Sequence, residues 1–128
     1  MKFIAKLTLI VLICLTQWSC NSDDDLTETK SATETALVGE WLRADHLIDP
    51  NVEYKITLSN DNGSGLITDL RITDEGIISS ANELTWHVNN NMLYITLSDD
   101  TEITSSVEFI DNGTVILANI SNHHFIKQ

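Results

Sequence analysis

The chain has 128 residues with 19 acidic against 7 basic side chains, a formal net charge of −12. This balance speaks against a nucleic-acid partner, whose phosphates are held largely by Lys and Arg, and against adhesion to anionic headgroups through surface charge. Two cysteines, one inside an apolar N-terminal run, leave no disulfide framework, so an exported domain of this chain must be held by its core.

Lys2 and Lys6 flank the start of "LTLIVLICLTQW", Leu7 to Trp18. A spanning helix needs about 20 apolar residues, so this shorter run reads as a secretion signal. It ends at Ser19 and Cys20, followed by "NSDDD". The seam resembles the lipobox of bacterial lipoproteins: Leu15 and Ser19 fit the pattern, while Trp18 stands where a small residue is usual. The stretch "CNSDDD" is similar to the acidic surface-export signal of Bacteroidetes-type lipoproteins, carried here by Asp23, Asp24 and Asp25. The resemblance implies a signal peptide over 1–19 and a mature chain beginning at Cys20. That cysteine would carry diacylglycerol on its thiol and a further palmitate-type acyl chain on its amine. It also implies a place at the bacterial outer membrane, lipid-anchored and displayed at the cell surface, so that the membrane is a partner through the anchor. Each buried methylene contributes about 0.8 kcal/mol and stable anchoring takes two or more chains, a requirement that three acyl chains on one residue meet. The alternative is a plain secretory signal cut elsewhere, with Cys20 a leftover thiol. Without Lys2 and Lys6, 19 acids face 5 bases, a formal charge of −14.

Residues 21–36, "NSDDDLTETKSATETA", are polar and acidic with almost nothing to bury. Together with Cys20 they read as a flexible tether over 20–36. From Leu37 the composition changes, and residues 37–128 form one small domain, large enough to fold alone without much excess. The period there is two. Val52, Tyr54, Ile56 and Leu58 alternate with Glu53, Lys55, Thr57 and Ser59; Leu84, Trp86 and Val88 with Thr85 and His87; Leu93, Ile95 and Leu97 share a face, as do Ile103, Val107 and Phe109. Such alternation means antiparallel strands with one dry face and one wet one. Turn residues at "NDNGSG", "DEG", "NNN", "SDD" and "DNG" divide the strands, which points to a meander of hairpins. The expected strands are 37–43, 52–59, 65–73, 76–80, 83–89, 92–98, 101–110 and 113–119, with a candidate ninth over 123–127. Helix is expected at most as a turn near 44–49. Because a long meander leaves two exposed edges unless it closes, the predicted fold is all-β, an up-and-down barrel of about eight strands.

The segment "LVGEWLR", Leu37 to Arg43, places Gly-x-Trp on the first strand, and "LTWHVNNNMLYITL" supplies a second tryptophan strand followed by an Asn-rich turn. Over residues 37–128 this resembles the lipocalin-like domains of Bacteroidetes lipoproteins. The resemblance implies that Trp41 plugs the closed end of the barrel, that Gly39 allows close backbone approach, and that Lys127, from the last strand, lies over Trp41 as its cation–π partner, with the nearby Arg43 as the alternative. It also implies a non-enzymatic binding module for a small apolar or amphipathic ligand, with Tyr54, Leu58, Trp86, Leu93 and Phe109 as candidate cavity lining. The inward set Trp41, Tyr54, Leu58, Leu70, Trp86, Leu93, Phe109 and Leu117 is large for a barrel whose interior is either filled or holds one small ligand. A solidly packed barrel is therefore the rival reading. It would serve as a protein-interaction or accessory subunit through its outer face near Tyr94 and Ile110, the partner being unknown.

Chemistry is thinly represented. Adjacent His123 and His124 point to opposite sides of a strand, and His46 and His87 belong to other segments, so no converging metal set is expected. No Gly-x-Ser-x-Gly elbow is present. Asp74 with Glu75, and Asp99 with Asp100, lie in turns where no apolar pocket raises a carboxyl pKa. "NDNGSG" lacks the regular acidic spacing and terminal Glu of a calcium loop. The expectation is no catalytic site, no cofactor and no metal.

Overall fold

In a computed structural model the described residues are 30–128. The signal peptide, Cys20 and Asp23 to Asp25 lie outside them. A short helix, α1 (Ala32–Leu37), opens the described chain, where the sequence reads as the end of a tether. Ser31 supplies its N-cap: Glu34 N–H donates to Ser31 Oγ at 3.1 Å. The reason it folds is Leu37, completely buried beneath the barrel end, which turns an otherwise polar segment into a lid with one apolar tooth.

Eight strands follow: β1 (Gly39–Arg43), β2 (Val52–Leu58), β3 (Ser64–Thr73), β4 (Gly76–Asn89), β5 (Met92–Leu97), β6 (Glu102–Asp111), β7 (Thr114–Leu117) and β8 (Phe125–Lys127). Each pairs antiparallel with its successor, and β8 pairs back on β1 through Trp41↔Lys127, Leu42↔Ile126 and Arg43↔Phe125, closing the barrel. The fold class is the one read from the alternation. Two expected strands, 76–80 and 83–89, are one continuous β4, because Ser80, Ala81 and Asn82 keep their place in the ladder opposite Asp69, Thr68 and Ile67. The candidate ninth strand is real and becomes the closing β8. The turn expected near 44–49 is a single 3-10 turn, Ala44–Leu47.

Antiparallel alternation gives the barrel two distinct ends. The cap end carries α1 and the turns 59–63, 90–91 and 112–113. The mouth end carries the 3-10 turn and the connections 74–75, 98–101 and 118–124. The core between them holds Leu37, Trp41, Ile56, Leu58, Ile67, Leu84, Trp86, Leu93, Ile95, Val115, Leu117 and Phe125, none more than 6% exposed. Burying side chains of this size contributes about 1.5–3 kcal/mol each, and no cysteine lies among the described residues to add a disulfide.

One inward assignment needs correcting. Ile56 pairs with Ile67 and Tyr54 with Asp69, so the inner face of β3 is Gly65, Ile67, Asp69 and Arg71, and Leu70 lies half-buried on the outside. A strand carrying apolar residues at both parities, as "GLITDLRIT" does, leaves its own orientation undecided until a neighbour sets the register.

Candidate functional site

At the cap end, Gly39 has φ +138° and a Cβ there would stand 2.8 Å from Lys127 Cε. Only glycine accepts that conformation beside that neighbour. Lys127 Nζ lies 5.2 Å from the Trp41 ring centroid and donates to Ala36 O at 3.2 Å. The indole N–H of Trp41 donates to Leu37 O at 2.7 Å. Trp41, the lysine and the helix end thus form one closed plug. Arg43 is not part of it: two residues further along β1 on the same face, it lies toward the mouth, its guanidinium carbon 4.6 Å over the Tyr54 ring.

The residues expected to line a cavity are brought together, but as core. Leu58 and Leu93 are buried, Trp86 nearly so, and Tyr54 and Phe109 pack against the same cluster. Phe109 tilts against Trp41 with centroids 6.2 Å apart, and Tyr54 against Phe125 at 6.2 Å. Trp86 is pinned beneath the β2–β3 turn, its indole N–H shared between Ser64 O at 3.0 Å and Ser59 O at 3.2 Å. Gly63, with φ +64°, lets that turn close down: a Cβ there would meet Trp86 O at 2.5 Å. Ser105 is fully buried among apolar neighbours, with its hydroxyl satisfied by Ser106 O at 3.0 Å and Asn119 N–H at 3.3 Å. Sequence reading missed it because a serine breaking the Ile103, Val107, Phe109 alternation carries no mark of its loop partner.

The mouth is charged. Arg43 donates two hydrogen bonds to Asp45, Nε to Oδ1 at 2.9 Å and Nη2 to Oδ2 at 2.7 Å. Those hydrogen bonds hold the Asp45 carboxyl below the ordinary carboxylate range and the guanidinium above its own. Burial pushes the Tyr54 phenol up, the nearby Arg43 opposing the shift and Asp69 adding to it. Asp69 in turn pairs with Arg71 at 3.4 Å. Pairs of opposite charge at this spacing order the rim.

Elsewhere several polar residues have partners within the chain. Lys30 Nζ donates to Asn60 O at 2.8 Å and to Asn60 Oδ1, so an ammonium occupies oxygens of "NDNGSG". His46 Nδ1–H donates to Val52 O at 2.8 Å, and His87 stacks on Tyr94, ring centroids 4.9 Å apart. Among the described residues no three His, Cys, Asp or Glu side chains converge as a metal site, and no helix is long and apolar enough to cross a membrane.

Two surface grooves are open to solvent. One, of about 730 Å³, runs over the outside of β2 to β5 past Thr57, Leu66, Glu83, Thr85 and Thr96. The other, of about 980 Å³, lies beside α1 between Lys30, Glu34, Asn62 and His87. The outer-face pair Tyr94 and Ile110 is not one patch: Tyr94 pairs with Thr104, six residues along β6 from Ile110, or about 20 Å at strand rise. The exposed large apolar side chains gather instead at the mouth end. Leu47, Ile48, Ile72, Ile77 and Ile78 are 46–81% exposed, and Ile72 N–H donates to Asn51 O at 2.8 Å, tying the β3–β4 hairpin to the loop that carries Leu47 and Ile48.

No protein-family description, curated protein or solved structure matched the chain on comparison.

Proposed function

We propose that this protein is a lipid-anchored cell-surface module, tethered to a bacterial outer membrane through Cys20, which binds a protein partner through the outside of a packed barrel. The observation that carries this reading is the contrast between inside and outside. The side chains expected to line a ligand cavity pack against one another, Leu58, Trp86 and Leu93 buried and Tyr54 and Phe109 partly so, whereas five large aliphatic residues at the mouth end are left exposed. Clustered exposed aliphatics of this kind mark interaction surfaces. Geometry adds a second support: the described chain begins beside the turn at Asn60, at the cap end. An anchor on that side would turn Leu47, Ile48, Ile72, Ile77 and Ile78 away from the membrane.

The rival is a small apolar ligand held inside. The experiment that separates the two combines a photocrosslinking amino acid at Ile48 or Ile77, in cells, with titration of tryptophan fluorescence by a medium-chain fatty acid. The outward reading expects crosslinks to one protein from the mouth end, none from Lys55 on the barrel wall, and unchanged Trp41 and Trp86 emission. Saturable emission changes without crosslinks would replace it with the ligand reading.

A further inference from the structure

Resting on that reading, we infer that the partner adds a β-strand to the bare edge of β4 between Gly76 and Asn82, and that the added segment is extended, apolar at its centre and basic at both ends. The edge exists because β4 outruns its neighbour. β5 pairs with β4 only from Leu84 to Asn89, whereas β3 follows it from Thr85 down to Gly76. Backbone N–H and C=O groups of one residue in an antiparallel strand point the same way, and the direction alternates along the strand. Glu83 O accepts from Ser98 N–H on the β5 side at 3.0 Å, while Trp86 N–H donates to Gly63 O on the β3 side at 2.6 Å. Ile77, Ser79 and Ala81 share the parity of Glu83, so their N–H and C=O groups point away from β3 and meet no strand among the described residues.

Natural sheets protect such edges with Lys, Pro, a bulge or a covering loop. "GIISSAN" has none of these: it is uncharged and lacks proline, it keeps regular register, and its side chains are exposed on both faces. The charge lies at its two ends instead. Asp74 and Glu75 form the hairpin tip, and Glu83, Asp99 and Asp100 stand where β5 leaves off. A segment laid along the gap, about 20 Å long at strand rise, would continue the line of β5. Its ends would fall among carboxylates and its middle beside Ile77 and Ile78. Backbone hydrogen bonds would supply affinity and the acidic ends would select basic flanks. A second copy is a poor occupant, because antiparallel self-pairing centred on Ser79 sets Glu83 of one copy opposite Glu75 of the other, and like charges facing each other repel. The chain's own segment before Lys30 is acidic too.

The test is amide hydrogen exchange on the full chain in detergent, with the peptide Lys-Lys-Val-Thr-Ile-Thr-Val-Lys-Lys as probe and the same centre flanked by glutamates as control. The basic peptide is expected to slow exchange at Ile77, Ser79 and Ala81 by about tenfold or more, less so as salt rises, while the acidic one leaves them unchanged. Ser79→Pro removes only an outward N–H, so the barrel is expected to keep its tryptophan near-ultraviolet signal and lose peptide protection. Ser80→Pro breaks a β3 ladder bond and is expected to destabilise the hairpin. Equal protection by both peptides, or by neither, overturns the inference; protection that grows with protein concentration alone replaces it with self-pairing. Mouth-end crosslinks in cells without edge protection would remove strand addition and leave the outward-binding reading standing.

Discussion

Lys127 and Gly39 sit on adjacent strands yet depend on each other for different reasons. Gly39→Ala would force a side chain into φ +138° against the lysine stem, and we expect about 1–3 kcal/mol of destabilisation, read as a lower urea midpoint. Lys127→Met keeps most of the stem over the indole and removes the cation; its expected effect is smaller, about 0.5–1 kcal/mol. If Lys127→Met proved the more costly of the two, the cation rather than the backbone would dominate the plug. These roles follow from "LVGEWLR" and "FIKQ" only through the family resemblance. The resemblance asks for a base on the last strand and so favours Lys127; Arg43, two residues along β1 from Trp41, lies over Tyr54 instead.

Among the elements, the mouth rim couples strand β1 to the 3-10 turn through Arg43 and Asp45. Arg43 holds the Asp45 carboxyl below its ordinary value, so the folded state binds that proton less readily than the unfolded chain. The stabilisation is therefore complete above the ordinary carboxylate pKa of about 3.9 and is lost as pH falls through the lowered folded value. Wild type is expected to lose more stability than Asp45→Asn between pH 6 and pH 3 in denaturant titrations. Equal losses in the two proteins would mean the pair contributes nothing. At the other end, Leu37→Ala should release α1 from the barrel at a cost of about 2–5 kcal/mol, with the helix and barrel signals separating in hydrogen exchange. The sequence read this helix as tether because Thr, Glu and Ala give it no apolar stripe; its single buried tooth has meaning only beneath a closed barrel.

At the scale of the whole molecule, charge and the proposed lipid anchor each make a prediction. With an excess of acids spread over a small barrel, self-repulsion opposes compaction, and raising ionic strength toward physiological values, where the screening length is about 8 Å, should raise the urea midpoint modestly. Insensitivity to salt would mean that the excess carboxylates stand too far apart for their repulsion to weigh on stability. The address is tested by intact mass and membrane fractionation: wild type is expected to carry acyl mass on a chain starting at Cys20, and Cys20→Ala to become soluble. A soluble, unmodified wild type would turn the module into a freely secreted binder.

The all-β class and the antiparallel order of the hairpins were determined by the sequence alone, since period-two alternation and turn residues are local properties that each hairpin expresses independently; the strand boundaries and the β1–β8 pairing that closes the barrel were fixed in three dimensions. Cys20 and its acidic neighbours are equally local, a pattern read in one stretch. Only the tertiary structure decided what the barrel contains and what it leaves bare. Whether Tyr54, Trp86 and Phe109 line a void or fill it depends on the volumes of side chains from several strands meeting at one point. Whether Leu70 faces in or out depends on register with β2. The bare edge of β4 arises from a difference in length between neighbouring strands, and no segment of the chain records how far its partner runs.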